Sequence, residues 1–466
     1  MFRQLKGSFV AGVFLCSSLA VHASADRYII LFDEHALPDD LKSSVAAVGG
    51  EIVTRLDEVG IAIARAESTA FPAQMGADYR VKSVGLEPAF AVPEYTAVRQ
   101  LETDIPAGDP PAGSFFFDEK LLWGIERVRA PEAWAAGVTG SADTTVAIID
   151  TGVAWNHPDL EPNVVFAACF TSAGAVIGFD TSTGPCNPYP ELDGHGTHVA
   201  GTVAAGFGFG VVGVGPDLGL ASYNTFELIN GNLVALVSSL WQAQLDAAAR
   251  DFDVINMSLG SLHAFGQGPG TDDLATLVAA DRRVANAVID AGTALVAAAG
   301  NAGVDLNGVL INLPGGHPGV VNVGATGIRP EPRFQPNVSF DVRSFFSNFG
   351  AAVDVTAPGG DCGLPDACGP EDELPESYVE HLILSTDAEL GPACAATASC
   401  TPIWSYLAGT SMASPHVAGV MGLIRDENPT LGPRAASSQL LRTADRIRGG
   451  RQEFGHGVVD ARGAID

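Results

Sequence analysis

From about residue 119 onward, short apolar runs alternate with longer amphipathic stretches. The apolar runs are rich in β-branched residues and alanine, and they lie at 145–149, 253–257, 294–299, 320–323 and 352–355. Continuous apolar runs are typical of parallel strands, because such strands are buried on both faces. The amphipathic stretches predict helices at 195–205, 233–250, 272–291, 410–425 and 433–446. The alternation predicts an α/β fold with three layers and a mainly parallel central sheet.

The preceding part of the chain has a different pattern. Its predicted elements are strands at 27–32, 51–55 and 60–64 and an amphipathic helix at 38–48. This order predicts a small α+β module over residues 26–90. Residues 91–118 are rich in proline and glycine, and they predict an extended linker in which a protease is expected to cut. The α/β domain then occupies residues 119–466.

The first 25 residues are typical of an export signal. Arg3 and Lys6 precede an apolar run at 9–20, and a small-residue cleavage site ends at Ala25. The run is shorter than the roughly 20 residues that span a bilayer, which favours a cleaved signal over a membrane anchor. We therefore expect a secreted or extracytoplasmic protein.

Length and charge narrow the function classes. A chain of 466 residues is too long for one ordinary domain, so two or three units are expected.

The charge of the chain limits its partners. Its 54 acidic and 25 basic residues give a net charge of −29. This charge repels phosphate groups, which argues against nucleic acids and anionic membranes as partners. We expect a monomer.

Six cysteines remain after removal of the predicted signal, and export makes disulfides plausible. Six cysteines allow 15 pairings. Pairing between sequence neighbours is the simplest interpretation and predicts Cys169–Cys186, Cys362–Cys368 and Cys394–Cys400. A zinc site is less favoured, since no CxxC spacing occurs.

Three short motifs carry the candidate chemistry. Asp150 ends an apolar run in VAIIDTG, His195 begins a predicted helix in DGHGTHVAG, and Ser411 begins another in GTSMASPH. Ligand sites of parallel sheets lie at the carboxyl ends of the strands, so these residues are expected to converge. A serine hydroxyl needs a base to become a strong nucleophile, and histidine suits that role near neutral pH. An aspartate bonded to the imidazole fixes its tautomer and stabilises its cation.

The three motifs and their order along the chain resemble those of the subtilisin (subtilase) family. The resemblance covers roughly residues 121–465 and begins with WGIERVRAPEAW at 123–134. It implies a subtilisin-like fold and a serine endopeptidase that acts on polypeptides and needs no cofactor for catalysis. In that reading Ser411 forms an acyl-enzyme, His195 is the general base and acid, and Asp150 orients His195.

The resemblance extends to residues that would surround the substrate. The segment AAAGN ends at Asn301, which implies that its side-chain amide and the backbone N–H of Ser411 form the oxyanion hole. The base of the main specificity pocket aligns with Asn312, where the family often has glycine. The remaining implied substrate-binding residues are Ser258, Leu259, Gly260, Ala298 and Gly300.

Asp159 matches the aspartate of the family's strong calcium site, and a structural calcium is therefore a candidate. The loop that normally completes this site, here residues 206–214, lacks the family's asparagine, although backbone carbonyls also bind calcium. An acidic stretch at 360–405 has two interpretations, a solvated loop or a second calcium site.

The module at 26–90 resembles the family's inhibitory propeptide through residues 28–32 and 81–88. This resemblance implies a zymogen, in which the module helps the catalytic domain to fold, covers its cleft and is released by self-cleavage within 91–118.

Other interpretations have less support. His198 and His416 are expected to be packed structural residues, and the chain has neither an HExxH zinc motif at His195 nor a GxSxG elbow at Ser411. A catalytically silent scaffold would be expected to lack one of the triad residues Asp150, His195 and Ser411, and all three are present. A peptidase tethered to the cell surface has no supporting segment in the sequence.

Overall fold

The computed structural model describes residues 26–92, 96–101, 114–179, 186–189, 193–265, 271–328, 341–361, 379, 381–390 and 400–466. The predicted signal at 1–25, most of the predicted linker, and Cys362, Cys368 and Cys394 lie outside these residues.

The amino-terminal module is an antiparallel sheet covered by two helices. Its elements are β1 (Asp26–Phe32), α1 (Leu41–Ala47), β2 (Gly50–Leu56), β3 (Ile61–Ala66), α2 (Phe71–Met75) and β4 (Val81–Leu86). The strand order is β2-β3-β1-β4. The predicted strand–helix–strand–strand order is present, and α2 and β4 extend it.

Strand β1 is apolar on both faces. Tyr28 and Ile30 pack with the module's own helices, whereas Ile29 and Leu31 belong to a cluster that includes Trp241 of the next domain. Alternating side chains of a strand point to opposite faces, so the module buries its second face against that domain.

The central sheet confirms the predicted α/β class. Its strands are β7 (Thr145–Asp150), β8 (Val164–Thr171), β9 (Gly174–Ile177), β10 (Gly219–Asn224), β13 (Val254–Met257), β15 (Ala294–Ala298), β17 (Val320–Gly327), β18 (Val342–Arg343) and β19 (Val355–Pro358). Along the sheet the order is β18-β17-β15-β13-β7-β10-β8-β9, with β19 also paired to β17. Strands β9 and β18 pair antiparallel, and the other pairings are parallel.

Helices cover both faces of this sheet. The longer ones are α6 (His195–Ala204), α7 (Val237–Ala249), α8 (Thr271–Ala291), α9 (Thr410–Glu427) and α10 (Pro433–Thr443). Val146 and Ile148 pack on the side of α6 and α9, and Ala147 and Ile149 pack on the side of α7 and α8. These are the three predicted layers. The short helices are α3 (Phe115–Asp118), α4 (Trp123–Arg127), α5 (Ala130–Ala135), α11 (Arg451–Phe454) and α12 (Ala461–Ala464).

Three smaller sheets lie beside the central one. Their strands are β5 (Ala89–Ala91), β6 (Thr96–Leu101), β11 (Phe226–Ile229), β12 (Asn232–Leu236), β14 (Ser261–Ala264), β16 (Leu310–Leu313), β20 (Ile383–Glu389) and β21 (Thr401–Ala408). Their orders are β11-β12-β5, β14-β16 and β20-β21-β6. Strands β5 and β6 precede the α/β domain in sequence yet pair with strands inside it.

Several sequence-based element predictions were wrong in their bounds. The helix predicted from residue 233 begins at Val237, because residues 232–236 pair with β11 through a two-residue turn at Asn230 and Gly231. Both turn residues have positive φ, 52° and 82°, which is the signature of an Asn-Gly hairpin turn. The strand predicted at 352–355 instead runs from Val355 to Pro358.

Within the part of the chain that the structure describes, no helix combines the length and apolarity needed to cross a bilayer.

Candidate active site

Asp150 and His195 form a buried pair at the carboxyl edge of the central sheet. Asp150 is the last residue of β7, and His195 is the first of α6. His195 Nδ1 lies 2.8 Å from Asp150 Oδ1, which also accepts the backbone N–H of Thr151 at 2.8 Å. A carboxylate can only accept, so Nδ1 carries the hydrogen and Nε2 is the basic nitrogen of the neutral ring. The tautomer is therefore the one that a general base requires.

The charges around His195 favour its protonated form. Burial alone would lower the pKa of His195, but the charge and hydrogen bond of Asp150 and the charges of Asp193 and Asp387 together outweigh burial. The pKa of His195 is consequently raised. Asp193 also accepts the backbone N–H of His195 at 2.8 Å.

Asp387 was not found by sequence reasoning. It lies on β20, and a Cβ on Gly194, the residue before His195, would collide with its carboxylate. Nothing in the local sequence of β20 indicates this approach, because it depends on how β20 packs against the start of α6. Asp193, in contrast, is part of the histidine motif.

Ser411 lies in the first turn of α9 and is buried in the full chain. Its Oγ donates to the carbonyl of Ser258 at 3.1 Å, and Ser258 Oγ donates to the carbonyl of Ser411 at 2.7 Å. Asn256 Nδ2 in turn donates to Ser258 Oγ at 3.0 Å. Ser258, in the predicted substrate segment, and Ser411, the predicted nucleophile, are therefore directly hydrogen-bonded to each other.

Asn301 is oriented by Thr410, the residue before Ser411. Asn301 Oδ1 accepts from the backbone N–H of Thr410 at 2.9 Å and from its hydroxyl at 2.7 Å. The other end of the carboxamide faces the start of α9. A Cβ built on Gly409 would lie 3.3 Å from Asn301 Nδ2 and 3.6 Å from the backbone nitrogen of Ser411. Both nitrogens thus border one space, an arrangement that can hold an anionic oxygen.

Asn312 lies between the two predicted substrate segments. Its Nδ2 donates to the carbonyl of Ala298 at 2.9 Å. A Cβ on Gly260 would come within 2.9 Å of Asn312 Nδ2, and one on Gly300 within 3.1 Å of its Oδ1. The structure thus brings Gly260, Ala298 and Gly300 together around a buried carboxamide, and Leu259 is buried beside Gly260.

His198 and His416 bond to backbone carbonyls, as expected for structural residues. His198 Nε2 lies 3.0 Å from the carbonyl of Ile383 and 3.1 Å from that of Ser405, and burial lowers its pKa to about 3. His416 Nδ1 lies 2.9 Å from the carbonyl of Met412, and burial lowers its pKa to about 4. Both rings therefore stay neutral at neutral pH.

The surroundings of Asp159 do not fit a calcium ligand. Its Oδ1 accepts the N–H of Gly210 at 2.9 Å, and its Oδ2 accepts the N–H of Val211 at 3.0 Å and the indole N–H of Trp404 at 2.7 Å. Calcium requires oxygen ligands, and these neighbours are hydrogen donors. Asp159 instead ties the loop after α6 to β21, and burial raises its pKa to about 6.

The described residues contain no group of three or more histidine, cysteine, aspartate or glutamate side chains arranged to hold a metal ion. In the acidic stretch at 360–405, Asp361 is among the residues that the structure describes. The carboxylates that follow it up to residue 376 lie outside the described residues, namely Asp366, Glu371, Asp372, Glu373 and Glu376.

A disulfide joins Cys169 at the end of β8 to Cys186, with an S–S distance of 2.10 Å. This is the first of the three pairings that the sequence predicts. Cys400 is also disulfide-bonded. The other three cysteines lie outside the described residues, so the pairings 362–368 and 394–400 remain predictions.

Comparisons with known proteins agree with the fold and the motifs. The sequence profile of the subtilase family matches residues 141–458. Subtilisin E of Bacillus subtilis (strain 168) is 30% identical over 354 residues, which are 75% of this chain and 72% of that protein. M-protease of Shouchella clausii (strain KSM-K16) is 29% identical over 468 residues, 98% of each chain.

Solved structures show the same architecture. The epidermin leader peptide processing serine protease of Staphylococcus aureus superimposes with a TM-score of 0.71 at 22% identity, covering 95% of this chain and 98% of that one. Fervidolysin of Fervidobacterium pennivorans superimposes with a TM-score of 0.69 at 21% identity, and the match covers 95% of this chain and 61% of that one. With the family profile and the subtilisin relatives, these similarities lead to one assignment: the chain belongs to the subtilase family of serine-type endopeptidases.

Proposed function

We propose that this protein is a secreted endopeptidase, made as a zymogen, in which Ser411 is the nucleophile, His195 the general base and acid, and Asp150 the residue that orients His195. The observation that carries the proposal is the 2.8 Å contact between Asp150 and His195 at the strand end. It supports the role of His195 Nε2 as the proton acceptor.

These roles define the chemistry of the proposed reaction. Ser411 Oγ attacks the scissile carbonyl carbon, and its proton passes to His195 Nε2. The carbonyl oxygen becomes an anion, to which Asn301 Nδ2 and the backbone N–H of Ser411 donate. His195 then protonates the leaving amine, the C–N bond breaks, and water hydrolyses the acyl-enzyme with His195 again acting as base.

The contacts of the amino-terminal module support its role as an inhibitory propeptide. The carboxylate of Glu87 accepts the backbone N–H of Ser238, at the start of α7, at 3.0 Å and is paired with Arg27 at 2.5 Å. A carboxylate at a helix amino terminus is favoured by the helix dipole. On α8, Asp273 accepts the backbone N–H of Leu86 at 2.8 Å. The module therefore contacts the starts of both α7 and α8.

Burial of the proposed triad agrees with a covered cleft. Asp150, His195 and Ser411 are each at most 2% exposed in the full chain. A substrate must reach Ser411 to be cleaved, so activity requires part of the chain to move or be removed. Self-cleavage within 91–118, after export directed by residues 1–25, would meet this requirement.

The proposal is tested with the full chain and two serine variants. Wild type should be secreted, lose residues 26–90 and degrade an unfolded protein. Ser411→Ala should be secreted uncut and should degrade nothing. Ser438→Ala, at an exposed serine of α10, is the matched control and should behave as wild type. Proteolysis that persists in purified Ser411→Ala would refute the assignment of the nucleophile, and wild-type secreted protein that starts at Asp26 would refute the maturation scheme.

A further inference from the structure

The short helix α3 docks on the loop that follows α6, residues 206–214. The backbone N–H of Phe115 donates to the carbonyl of Phe209 at 2.7 Å. The backbone N–H of Phe116 donates to the carbonyl of Gly210 at 2.8 Å. The first N–H groups of a helix have no partner within the helix, so the loop satisfies two donors that α3 cannot satisfy itself.

The ring of Phe116 fills the space behind this contact. Phe116 is 1% exposed, and its ring lies edge-on to the ring of Trp404 in β21, with the ring centroids 5.6 Å apart. The indole N–H of Trp404 donates to Asp159 Oδ2 at 2.7 Å. A Cβ on Gly210 would lie 2.5 Å from the Trp404 ring, so the loop backbone lies directly against it. We call Phe116, Trp404 and Asp159 the aromatic clamp.

The carboxylate in the aromatic clamp has hydrogen donors where a cation would need free oxygens. Asp159 is 1% exposed and accepts the N–H groups of Gly210, Val211 and Trp404. These donors direct partial positive charge at the two oxygens, which disfavours a calcium ion beside them. The residue that matches the family's calcium ligand therefore holds loop 206–214 through hydrogen bonds to its backbone.

A second aromatic contact reaches the same loop from α3. The ring of Phe117 lies 5.6 Å from that of Trp134 in α5, and Trp134 lies 5.2 Å from Phe207 of the loop, measured between centroids. Trp134 Nε1 also donates to the carbonyl of Val214 at 2.9 Å. Phe116 and Phe117 thus support the loop by two separate routes.

The packing of α3 assigns it to the catalytic domain. Phe116 belongs to the apolar cluster that contains Val146 and Ile148 of the central sheet, whereas the module has a separate cluster on its helix-covered face. A cut after Phe116 would remove a buried ring from this cluster and leave a cavity beside Trp404, which destabilises a core.

We propose that residues 114–117 stay in the mature protease, where they hold loop 206–214 in place of a calcium ion, and that the maturation cut therefore lies before Ser114. The part that concerns the cut rests on the proposed function. Loop 206–214 follows α6, which begins with His195, so the aromatic clamp stabilises the element that carries the proposed base.

The first test measures hydrogen exchange of the amides of Gly210 and Val211, which donate to Asp159. The full chain with Ser411→Ala is used, because self-cleavage is then excluded. Exchange of both amides should be equal in millimolar calcium and in excess EDTA. The readout is specific to this loop, so a calcium ion bound elsewhere does not affect it.

Neighbouring phenylalanines of α3 supply matched variants in the same Ser411→Ala chain. Phe116→Ala should speed exchange of the Gly210 and Val211 amides by about tenfold or more, since the loop loses its buried support. Phe115→Ala is the control, because the Phe115 ring is 39% exposed, and it should have little effect. Phe116→Leu retains most of the apolar volume and should give a smaller increase at the same amides.

The second test maps the amino terminus of mature wild-type protein by sequencing and intact mass. It should begin at or before Ser114 and retain Phe116. Mature protein that begins after Phe116, faster exchange of the Gly210 and Val211 amides in EDTA, or equal exchange in Phe115→Ala and Phe116→Ala would overturn the inference. If wild type shows no Ser411-dependent cleavage, the proposed function fails, and the exchange measurements still decide whether the aromatic clamp holds the loop.

Discussion

Thr410 holds the carboxamide of Asn301 by two hydrogen bonds, from its backbone N–H at 2.9 Å and from its hydroxyl at 2.7 Å. Its hydroxyl also accepts the backbone N–H of Gly300 at 3.1 Å. The residue next to the proposed nucleophile therefore fixes which end of Asn301 faces the proposed oxyanion position. Preorganised donors stabilise a transition state because they need no reorientation during the reaction.

Removal of the Thr410 hydroxyl should impair the chemical step. Thr410→Val is expected to lower kcat by about tenfold with little change in KM, and Asn301→Ala to lower kcat by about 10²–10³-fold. Because Thr410 acts through Asn301, the double variant should be no slower than Asn301→Ala. The kcat and KM of the two single variants and the double variant are measured by steady-state kinetics on one peptide substrate. Multiplicative losses in the double variant would show that Thr410 acts independently of Asn301.

The carboxylate of Asp387 should contribute to the position of the acid limb of the pH profile. The proposed reaction requires neutral His195, and the nearby charges of Asp150, Asp193 and Asp387 raise the pKa of that ring. Asp387→Asn removes one of these charges, so the acid limb of kcat/KM should move to lower pH. Glu389→Gln, on the same strand, is the matched control and should leave the limb in place. An unchanged or upward-shifted limb in Asp387→Asn would contradict this account of His195.

Asn312 should restrict the specificity pocket to small side chains. Its carboxamide fills the space between Gly260 and Gly300. Asn312→Gly should therefore raise the kcat/KM ratio for phenylalanine over alanine at the residue before the scissile bond by about tenfold or more. A peptide library with this position varied measures the change, and Asn307→Gly is the control outside the proposed pocket. An unaltered preference in Asn312→Gly would place the pocket elsewhere.

Arg283 should hold the module on the catalytic domain. Its Nη1 donates to the carbonyls of Phe32 at 2.8 Å, Glu34 at 3.1 Å and Val59 at 3.1 Å, all within the module. Hydrogen bonds from a charged group contribute about 1.5–3 kcal/mol, so Arg283→Gln should weaken binding of the cleaved module about 10- to 100-fold.

The measurement is the rate at which activity appears after self-cleavage, which should be faster in Arg283→Gln. The neighbouring Arg282 is exposed, and among the described residues it makes no hydrogen bond or ion pair with the module. Arg282→Gln is therefore the matched control and should mature as wild type does. Equal activation of Arg282→Gln and Arg283→Gln would mean that these carbonyl contacts do not control release.

Sequence reasoning predicts a site from residues that lie in motifs with a chemical constraint. Asp150, His195 and Ser411 each occupy a strand end or helix start, and parallel-sheet topology brings such positions together. The α/β class was predictable because strands that are buried on both faces appear in the sequence as continuous apolar runs.

Other features depend on contacts between segments distant in the chain. The approach of Asp387 to Gly194 and the three N–H donors around Asp159 arise from packing that no local pattern encodes. The Asn230-Gly231 pair is a local signal for a hairpin turn, yet the apolar residues that follow it also fit a helix. These residues form a strand because they pair with β11.

The most direct test of the triad is covalent labelling by a serine-directed phosphonylating reagent, with the modified residue mapped by mass spectrometry. The account predicts one adduct on Ser411 in the active protease. Labelling should be slower by about 10³-fold or more in His195→Ala, since the hydroxyl then lacks its base. An adduct on another residue, or labelling of Ser411 at the wild-type rate in His195→Ala, would contradict the account.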